Sequence, residues 1–216
     1  MVVLAENNSI ALHFLNELRD QKIQKDALRF RQNLERLGQI FAYEISKQLS
    51  YHSVQVESTL GSKKSSELSQ QPVLVAILRA GLPLHQGMLH FFDRAENAFI
   101  GAYRGKHDAK DNFEIEMDYI TSPDIQGKPL IICDPMLATG KSVEMAYHAL
   151  LRYGIPQKTF IVSAIASARG CRYIQARMPE CRLWVGDVDD ELNSKSYIVP
   201  GLGDAGDLAY GTKVQM

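Results

Sequence analysis

Five short, continuous apolar runs constrain the fold of this chain more than any other feature. They are separated by helical or polar stretches, and they read 73–78 (VLVAIL), 97–103 (NAFIGAY), 130–133 (LIIC), 160–166 (FIVSAIA) and 183–188 (LWVGDV). Unbroken runs of this kind are typical of strands that are covered on both faces, as in a parallel sheet. None approaches the roughly 18 apolar residues of a membrane-spanning helix, so we expect no membrane segment.

Helices are expected between most of these runs. Apolar residues from Ala27 to Leu49 recur at steps of three and four, which predicts a long helix with Asp26 as its N-cap. Shorter helices are expected through Leu12, Leu15 and Leu18 and over 83–92, 142–153 (ending at Gly154) and 169–178. Strands and helices in alternation predict an α/β fold, with an open, mainly parallel sheet flanked by helices. We expect residues 1–216 to form a single domain.

Two segments do not follow this alternation. Phe113, Ile115, Met117 and Tyr119 alternate with acidic residues, which predicts a strand with one wet face. We expect it to lie in an antiparallel β-arm, at about 105–128, outside the main sheet. The polar segment 61–71 (GSKKSSELSQQ) is expected to be a loop.

Charge and cysteine content narrow the class of protein. Lys and Arg number 24 and Asp and Glu 25, so the formal net charge of −1 disfavours a broadly basic nucleic-acid binder. Cys133, Cys171 and Cys181 form no C-x-x-C pair, and we expect reduced thiols in a cytoplasmic protein. The first residues, MVVLAENN, lack the basic region of a signal peptide. The six histidines show no metal-ligand pattern, so no protein-held metal cluster is expected.

The stretch 130–142 (LIICDPMLATGKS) carries the clearest chemical signal. An apolar strand ends at Asp134 and is followed by a turn with Thr139, Gly140 and Ser142, and then by a helix. Ligands of open α/β sheets bind at the carboxyl ends of strands, and a helix N-terminus offers free N–H groups to a phosphate. The pattern therefore predicts a phosphate site, with Asp134 placed to accept hydrogen bonds from sugar hydroxyls.

Two other interpretations of this stretch are open. Gly140, Lys141 and Ser142 spell the end of a nucleotide P-loop, but that motif needs a glycine where this chain has Pro135, so the spacing argues against it. The stretch also fits a plain strand-to-helix turn in which Asp134 is only a cap.

Four segments together resemble the uracil phosphoribosyltransferase family. Asp134 to Ser142 (DPMLATGKS) resembles its phosphoribosyl-pyrophosphate motif, and 77–82 (ILRAGL) its pyrophosphate loop. Tyr103-Arg104 is similar to its second arginine segment, and 197–213 (YIVPGLGDAGDLAYGTK) to its uracil-binding segment and carboxyl end. The resemblance covers nearly the whole chain, and about 197–216 is assigned to the uracil-binding segment and C-terminus.

The resemblance implies an activity in pyrimidine salvage and a role for each segment. Uracil and 5-phospho-α-D-ribose 1-diphosphate (PRPP) would give UMP and diphosphate. The catalytic residues implied are Arg79, Arg104, Asp134 and Asp204. The PRPP-binding residues implied are those four together with Pro135, Met136, Leu137, Ala138, Thr139, Gly140, Lys141 and Ser142. Uracil would be bound by Ile198, Gly203, Asp204 and Ala205. Magnesium would be held mainly by the diphosphate and water, and the chain would form a homodimer or higher homo-oligomer.

The sequence departs from the family at three places, and alternatives stay open. The family usually has a second glycine where this chain has Lys141 and a basic residue where it has Leu208, and 105–128 matches the family's arm poorly. A catalytically silent member is therefore an alternative. The others are an RNA-binding pyrimidine regulator of the same fold and a transferase for a purine or another base.

Overall fold

A mainly parallel sheet lies at the centre of the chain. The computed structural model describes residues 1–107 and 113–213, without the side chains of 102–107 and 113–118. Within that part the sheet has eight strands, in the order β1-β10-β9-β7-β4-β5-β6, with β8 paired to β9. These strands are β1 (Val2–Val3), β4 (Val73–Leu78), β5 (Glu96–His107), β6 (Phe113–Thr121), β7 (Pro129–Cys133), β8 (Met136–Leu137), β9 (Lys158–Ser167) and β10 (Arg182–Asp189). All of their pairings are parallel except that of β5 with β6.

Helices cover the sheet on both faces. They are α1 (Ala11–Arg19), α2 (Ala27–Ser46), α3 (Leu82–Leu89), α4 (Lys141–Leu150), α5 (Ala168–Arg177) and α6 (Ala205–Tyr210), with 3-10 turns at Leu4–Glu6, Ile23–Lys25 and Leu151–Tyr153. The central strand β7 shows the division, because Ile131 and Cys133 pack with α1, α2, α3 and α6, whereas Leu130 and Ile132 pack with α4 and α5. Side chains of a strand point to alternate faces, so an unbroken apolar run fills both layers.

The α/β prediction is confirmed, as are the five predicted strands and the predicted helices to within a few residues. The Asp26 carboxylate caps α2 by accepting the Arg29 N–H at 3.1 Å. The predicted helix 142–153 ends earlier, since α4 stops at Leu150 and a 3-10 turn runs on to Gly154. None of the helices in the described part of the chain is long and apolar enough to cross a bilayer.

Two sequence-based expectations are wrong. Residues 61–68 form a strand, not a loop: β3 (Gly61–Leu68) pairs antiparallel with β2 (Tyr51–Ser58) in an exposed hairpin. Both faces of this hairpin are wet, so β3 carries no apolar alternation that could reveal it.

The 113–119 strand was expected outside the main sheet, but β6 hydrogen-bonds to β5 as its edge strand. A single wet face is also what an edge strand shows. Of the rest of the arm predicted at about 105–128, residues 105–107 belong to β5 and 122–128 form a loop with a turn. Residues 108–112 lie outside the described residues.

Candidate active site

A cleft of about 140 Å³ opens where β4 and β7 end, beside the N-termini of α4 and α6. Two backbone segments face each other across it, 134–143 on one side and 196–206 on the other. The cleft is lined by Ala80, Asp134, Met136, Leu137, Ala138, Thr139, Gly140, Ser142, Val143, Ser196, Tyr197, Gly203, Asp204, Ala205 and Gly206. The cleft lies at the carboxyl ends of parallel strands, where open α/β sheets bind their ligands.

The segment 134–142, which we call the phosphate loop, is fastened to the neighbouring strand β9. The Ser163 hydroxyl donates to the Asp134 carbonyl at 2.5 Å, and the Ser167 hydroxyl donates to the Ala138 carbonyl at 2.6 Å. The Ile165 N–H also donates to the Pro135 carbonyl, at 3.0 Å. These three bonds occupy carbonyl groups of the loop. They do not involve the N–H groups at the end of the loop, where the helix begins.

Those amides lie at the start of α4. Gly140 is its N-cap at φ +81°, a left-handed conformation that favours glycine. A Cβ atom there would come within 2.9 Å of the Tyr173 ring and 3.2 Å of the Ile174 side chain, so the space behind the loop is filled by α5. The first N–H groups of a helix have no partner within it, and the helix dipole favours an anion at this end. A helix start of this geometry can hold an anion such as a phosphate group.

Asp134 directly follows β7 and is half-buried in the cleft wall. Its carboxylate accepts the Met136 N–H at 3.3 Å. This long hydrogen bond offsets little of the cost of burying the negative charge. Burial raises the pKa of Asp134 to about 7. A carboxyl group that titrates near neutrality on a cleft wall is a candidate for a functional role.

Asp204 lies across the cleft as the N-cap of α6. Its carboxylate accepts the Asp207 N–H at 3.0 Å and faces the Lys213 ammonium at 3.3 Å. Burial raises its pKa, but the Asp207 N–H and the Lys213 charge together outweigh it, so the pKa of Asp204 is lowered. The two carboxyl groups of the cleft therefore differ in charge near neutral pH.

Arg79 follows β4 at the rim of the cleft. Its guanidinium donates to the Asp207 carboxylate at 3.3 Å and to the Gly211 carbonyl at 3.2 Å. The side chain is 44% exposed, and a Cβ atom at Gly206, in the cleft lining, would lie 3.8 Å from its Nη2. Arg79 is thus placed beside the cleft with its charge shared between the C-terminal segment and solvent.

The segment 198–206, which we call the base loop, leaves a short antiparallel ribbon. Leu192 of β11 (Glu191–Leu192) pairs with Ile198 of β12 (Ile198–Val199). The Asn193 carboxamide closes the turn between them by accepting the Lys195 and Tyr197 N–H groups, both at 3.0 Å. The ribbon places Ser196 and Tyr197 against the cleft.

Most of the predicted site residues meet in this cleft. Asp134, Met136 to Gly140, Ser142 and Gly203 to Ala205 line it. Pro135 and Ile198 are buried behind it, Arg79 stands at the rim, and Lys141 is exposed at the first position of α4. Arg104 lies on β5, paired with Ile115, and its side chain is outside the described residues.

Five lining residues were absent from the predicted set: Ala80, Val143, Ser196, Tyr197 and Gly206. Tyr197 and Gly206 belong to the motif YIVPGLGDAGD, so the motif's full length was the available signal. Ala80 belongs to the segment ILRAGL at 77–82, so the length of that motif was the signal there too. Nothing in the local sequence marks Val143. Leu208, where a basic residue was expected, packs partly buried against the core, and a Cβ atom at Gly203 would lie 4.0 Å from its Cδ1.

Comparison with solved structures defines the class of fold. The purine phosphoribosyltransferase from Pyrococcus horikoshii Ot3 is 12% identical, with a TM-score of 0.50 over 73% of this chain and 84% of that one. The AQ2163 protein from Aquifex aeolicus is 34% identical, with a TM-score of 0.87 over 100% of both chains. The fold is that of a phosphoribosyltransferase.

Comparison with known sequences gives the family. The model of the family described as uracil phosphoribosyltransferase matches residues 5–212. The uracil phosphoribosyltransferase of Porphyromonas gingivalis is 49% identical over 215 residues, 99% of each chain. That of Pyrococcus furiosus is 36% identical over 214 residues, 98% of this chain and 90% of its own. This chain belongs to the uracil phosphoribosyltransferase family, as its motifs predicted.

Proposed function

We propose that the chain transfers the 5-phosphoribosyl group of PRPP to uracil, giving UMP and diphosphate. The observation that carries the proposal is the single cleft in which Asp134 and the α4 N-terminus face the base loop. A helix N-terminus for the 5′-phosphate, a carboxyl group on the same loop for the ribose and main-chain groups for the base are parts that such a transfer needs. The family membership supports the same reaction.

The reaction needs no nucleophile from the protein. The bond from ribose C1 to the diphosphate oxygen breaks with its electron pair leaving on diphosphate, and uracil N1 bonds to C1 and releases its proton to solvent. Positive charge that develops on the ribose ring is stabilised electrostatically by preorganised groups. In this proposal the α4 N-terminus, with the Thr139 and Ser142 hydroxyls, holds the 5′-phosphate, and Asp134 accepts hydrogen bonds from the ribose hydroxyls.

Arg79 and Arg104 take the leaving diphosphate in this proposal. A guanidinium binds phosphate oxygens in a bidentate manner, which suits both residues to that role. Arg79 stands at the rim of the cleft, and its exposed hydrogen bonds to Asp207 and Gly211 are weak enough to exchange for a ligand.

Magnesium fits the donor set of the cleft only with help from the substrate. Asp134 and Asp204 are the carboxylates that line it, and the described residues contain no group of three or more His, Cys, Asp or Glu side chains placed to hold an ion. Mg²⁺ usually keeps several waters and is shared with substrate phosphates. When bound, it would neutralise charge on the diphosphate, and Asp204 would be the residue that helps to hold it.

The base is proposed to be read by main-chain groups. Ile198, Gly203 and Ala205 have side chains that cannot form hydrogen bonds, whereas their carbonyls and amides can. Uracil presents one N3–H donor between two carbonyl acceptors, and cytosine reverses two of these groups. A buried backbone group without its partner costs about 1–3 kcal/mol, so two mismatches reject cytosine by up to roughly 10⁴.

The assembly and location of the chain are also part of the proposal. We propose a homodimer or higher homo-oligomer in the cytoplasm that acts on small-molecule substrates. Cys133, Cys171 and Cys181 are free thiols, and the first two are buried. Free thiols are typical of a protein in a reducing compartment.

One assay tests the reaction. Purified protein with PRPP and Mg²⁺ should release diphosphate and form UMP with uracil, and show a rate lower by up to roughly 10⁴ with cytosine. Absence of UMP would favour the catalytically silent alternative. Comparable rates with both bases would contradict main-chain reading and the uracil assignment together. Salt-sensitive retention of RNA on a filter, without turnover, would favour the regulator.

A further inference from the structure

Arg19, the last residue of α1, makes a buried ion cluster with the end of β10. Its guanidinium binds Asp189 in bidentate form, Nη1 to Oδ2 at 2.8 Å and Nη2 to Oδ1 at 2.9 Å, and Nη2 also binds the Asp187 carboxylate at 2.8 Å. The side chains of Arg19 and Asp189 are only 19% and 8% exposed. Removing two charges from water is costly, so a buried ion pair contributes little net stability. Its other contacts therefore indicate what role it has.

Both members of the pair also hold the backbone of Gly201, in the middle of the base loop. The Gly201 N–H donates to Asp189 Oδ2 at 2.9 Å, and Arg19 Nη1 donates to the Gly201 carbonyl at 3.1 Å. Next to it, the end of the Gln24 side chain lies 2.8 Å from the Leu202 carbonyl and 3.1 Å from the Leu18 carbonyl, and it donates to both when its amide nitrogen is turned toward them. Three polar groups of the loop are thus fixed: the Gly201 N–H by β10, the Gly201 carbonyl by α1, and the Leu202 carbonyl by the segment that follows α1.

Apart from the buried side chain of Leu202, the loop has little else to fix it at this point. Its ribbon with β11 consists of two residue pairs and ends at Val199, and α6 begins only at Ala205. Gly201 has φ +56°, and a Cβ atom there would lie 2.1 Å from the Ile198 carbonyl oxygen. The chain therefore turns tightly back over Ile198, and the direction of that carbonyl depends on how Gly201 is held.

We propose that Arg19 and Asp189 are positioning residues that set the affinity for the base by fixing the Gly201 turn. The inference rests on the proposed function and deepens it, because the Ile198 carbonyl and the Gly203 and Ala205 amides that would read uracil lie on either side of this turn. Main-chain readers cannot adjust by changing rotamer, so their accuracy comes from whatever holds the backbone. Arg19 and Asp189 do not line the cleft, and they act on the base only through Gly201.

A purely structural ion pair makes a different prediction. It would affect the free energy of unfolding, and any loss of activity would fall equally on both substrates. The positioning role predicts a selective effect, because the phosphate loop is fastened to β9 through Ser163 and Ser167. Within the described residues, the hydrogen bonds of Arg19 go to Asp187, Asp189 and Gly201 and not to that loop.

The test compares steady-state constants for Asp189→Asn and Arg19→Lys with the parent protein. Asp189→Asn removes one acceptor oxygen, and Arg19→Lys keeps the charge but loses the bidentate geometry. We expect KM for uracil at saturating PRPP to rise about tenfold or more in Asp189→Asn and less in Arg19→Lys, while KM for PRPP at saturating uracil stays within about twofold. Asp187→Asn, which loosens Arg19 without touching Gly201, should lie between Arg19→Lys and the parent.

Glu17→Gln is the matched control. Glu17 lies on the same helix α1 and binds Arg29 of α2 in the same bidentate way, at 2.7 and 2.9 Å, but has no contact with the base loop. It should lower the melting temperature without raising KM for uracil relative to KM for PRPP.

Each outcome has one meaning. A KM split confined to the Arg19 cluster supports the proposal. Equal changes in both KM values, no change, or the same split in Glu17→Gln overturns it. If Asp189→Asn does not fold, Arg19→Lys carries the test by the same criteria. Absence of UMP formation by the parent protein would instead refute the proposed function, and activity without the split would refute this inference alone.

Discussion

The two walls of the cleft are built in different ways. The phosphate loop is held by its own strand, by hydroxyls of the adjacent strand β9 and by the helix that it begins. The base loop is held by Arg19, which lies 182 residues before Gly201 in the chain. The phosphate end of the site therefore depends on segments only 29 residues apart in the chain, whereas the base end depends on how the N-terminal helices pack. The two ends should therefore fail separately when mutated.

The largest expected effect comes from Gly140 in the phosphate loop. Gly140→Val would place a branched side chain at φ +81° and within 2.9 Å of the Tyr173 ring, so the loop must move away from α5. We expect PRPP binding measured by calorimetry to be lost, with native far-ultraviolet circular dichroism. Gly127→Val is the control, because Gly127 also has positive φ, +68°, but has open space where the Cβ would lie. Normal PRPP binding by Gly140→Val would mean that the loop is only a turn.

Asp134→Asn should be the next most severe change. Loss of a charge-assisted hydrogen bond to the ribose would destabilise the transition state by about 2–4 kcal/mol. This would lower kcat/KM roughly 30- to 1,000-fold. The side chain keeps its size, so the fold should persist. Unchanged turnover with unchanged PRPP affinity would exclude Asp134 from the site.

The raised pKa of Asp134 adds a pH dependence with a definite sign. The pKa rises from 3.8 to about 7 on folding, so the folded state binds more protons between those values, and its stability falls as pH rises through that window. Asp134→Asn lacks this titration. At pH 8 its free energy of unfolding should exceed that of the parent by roughly 1–2 kcal/mol after allowing for partial exposure, so it should melt at a higher temperature. PRPP affinity of the parent should rise from pH 6 to 8, because sugar hydroxyls donate to the carboxylate, and should be flat in Asp134→Asn. Equal pH slopes would contradict this assignment.

A smaller effect is expected at the rim, where the C-terminal segment meets the β4 end. Arg79 is bound to Asp207, and in the proposed reaction it must exchange this partner for diphosphate. Asp207→Asn should raise PRPP affinity by about two- to fivefold, the range of an exposed ion pair. The exposed pair Lys47–Glu44 supplies a control, as Glu44→Gln should leave the affinity unchanged. Weaker PRPP binding by Asp207→Asn would show that Asp207 orients Arg79 toward the ligand.

The two walls also differed in how far the sequence could predict them. The phosphate loop was predictable because its strand, acid, glycine turn and helix are consecutive, and each follows a local rule. The base loop was recognisable only through its family motif, and the Arg19 cluster could not be predicted, because α1 reaches β10 by packing across the chain. The β2–β3 hairpin was missed for a related reason: β3 is wet on both faces and has no apolar period. The position of β6 was missed because an edge strand and a separate arm share the same alternation.

The smallest effect is expected from Ile198→Val, which sharpens the distinction between side-chain and main-chain recognition. The Ile198 side chain is 3% exposed and packs in the core with α1, α2 and α6 rather than lining the cleft. Removing one methylene group there should cost about 0.5–1.5 kcal/mol of unfolding free energy. The carbonyl stays in place, because the ribbon with Leu192 and the Gly201 turn hold the backbone, so the ratio of kcat/KM for uracil over cytosine should change less than threefold. Thermal melting and competition between the two bases measure the two quantities separately. A tenfold loss of discrimination with little loss of stability would mean that the Ile198 side chain itself shapes the base site, and the main-chain mechanism would then be wrong.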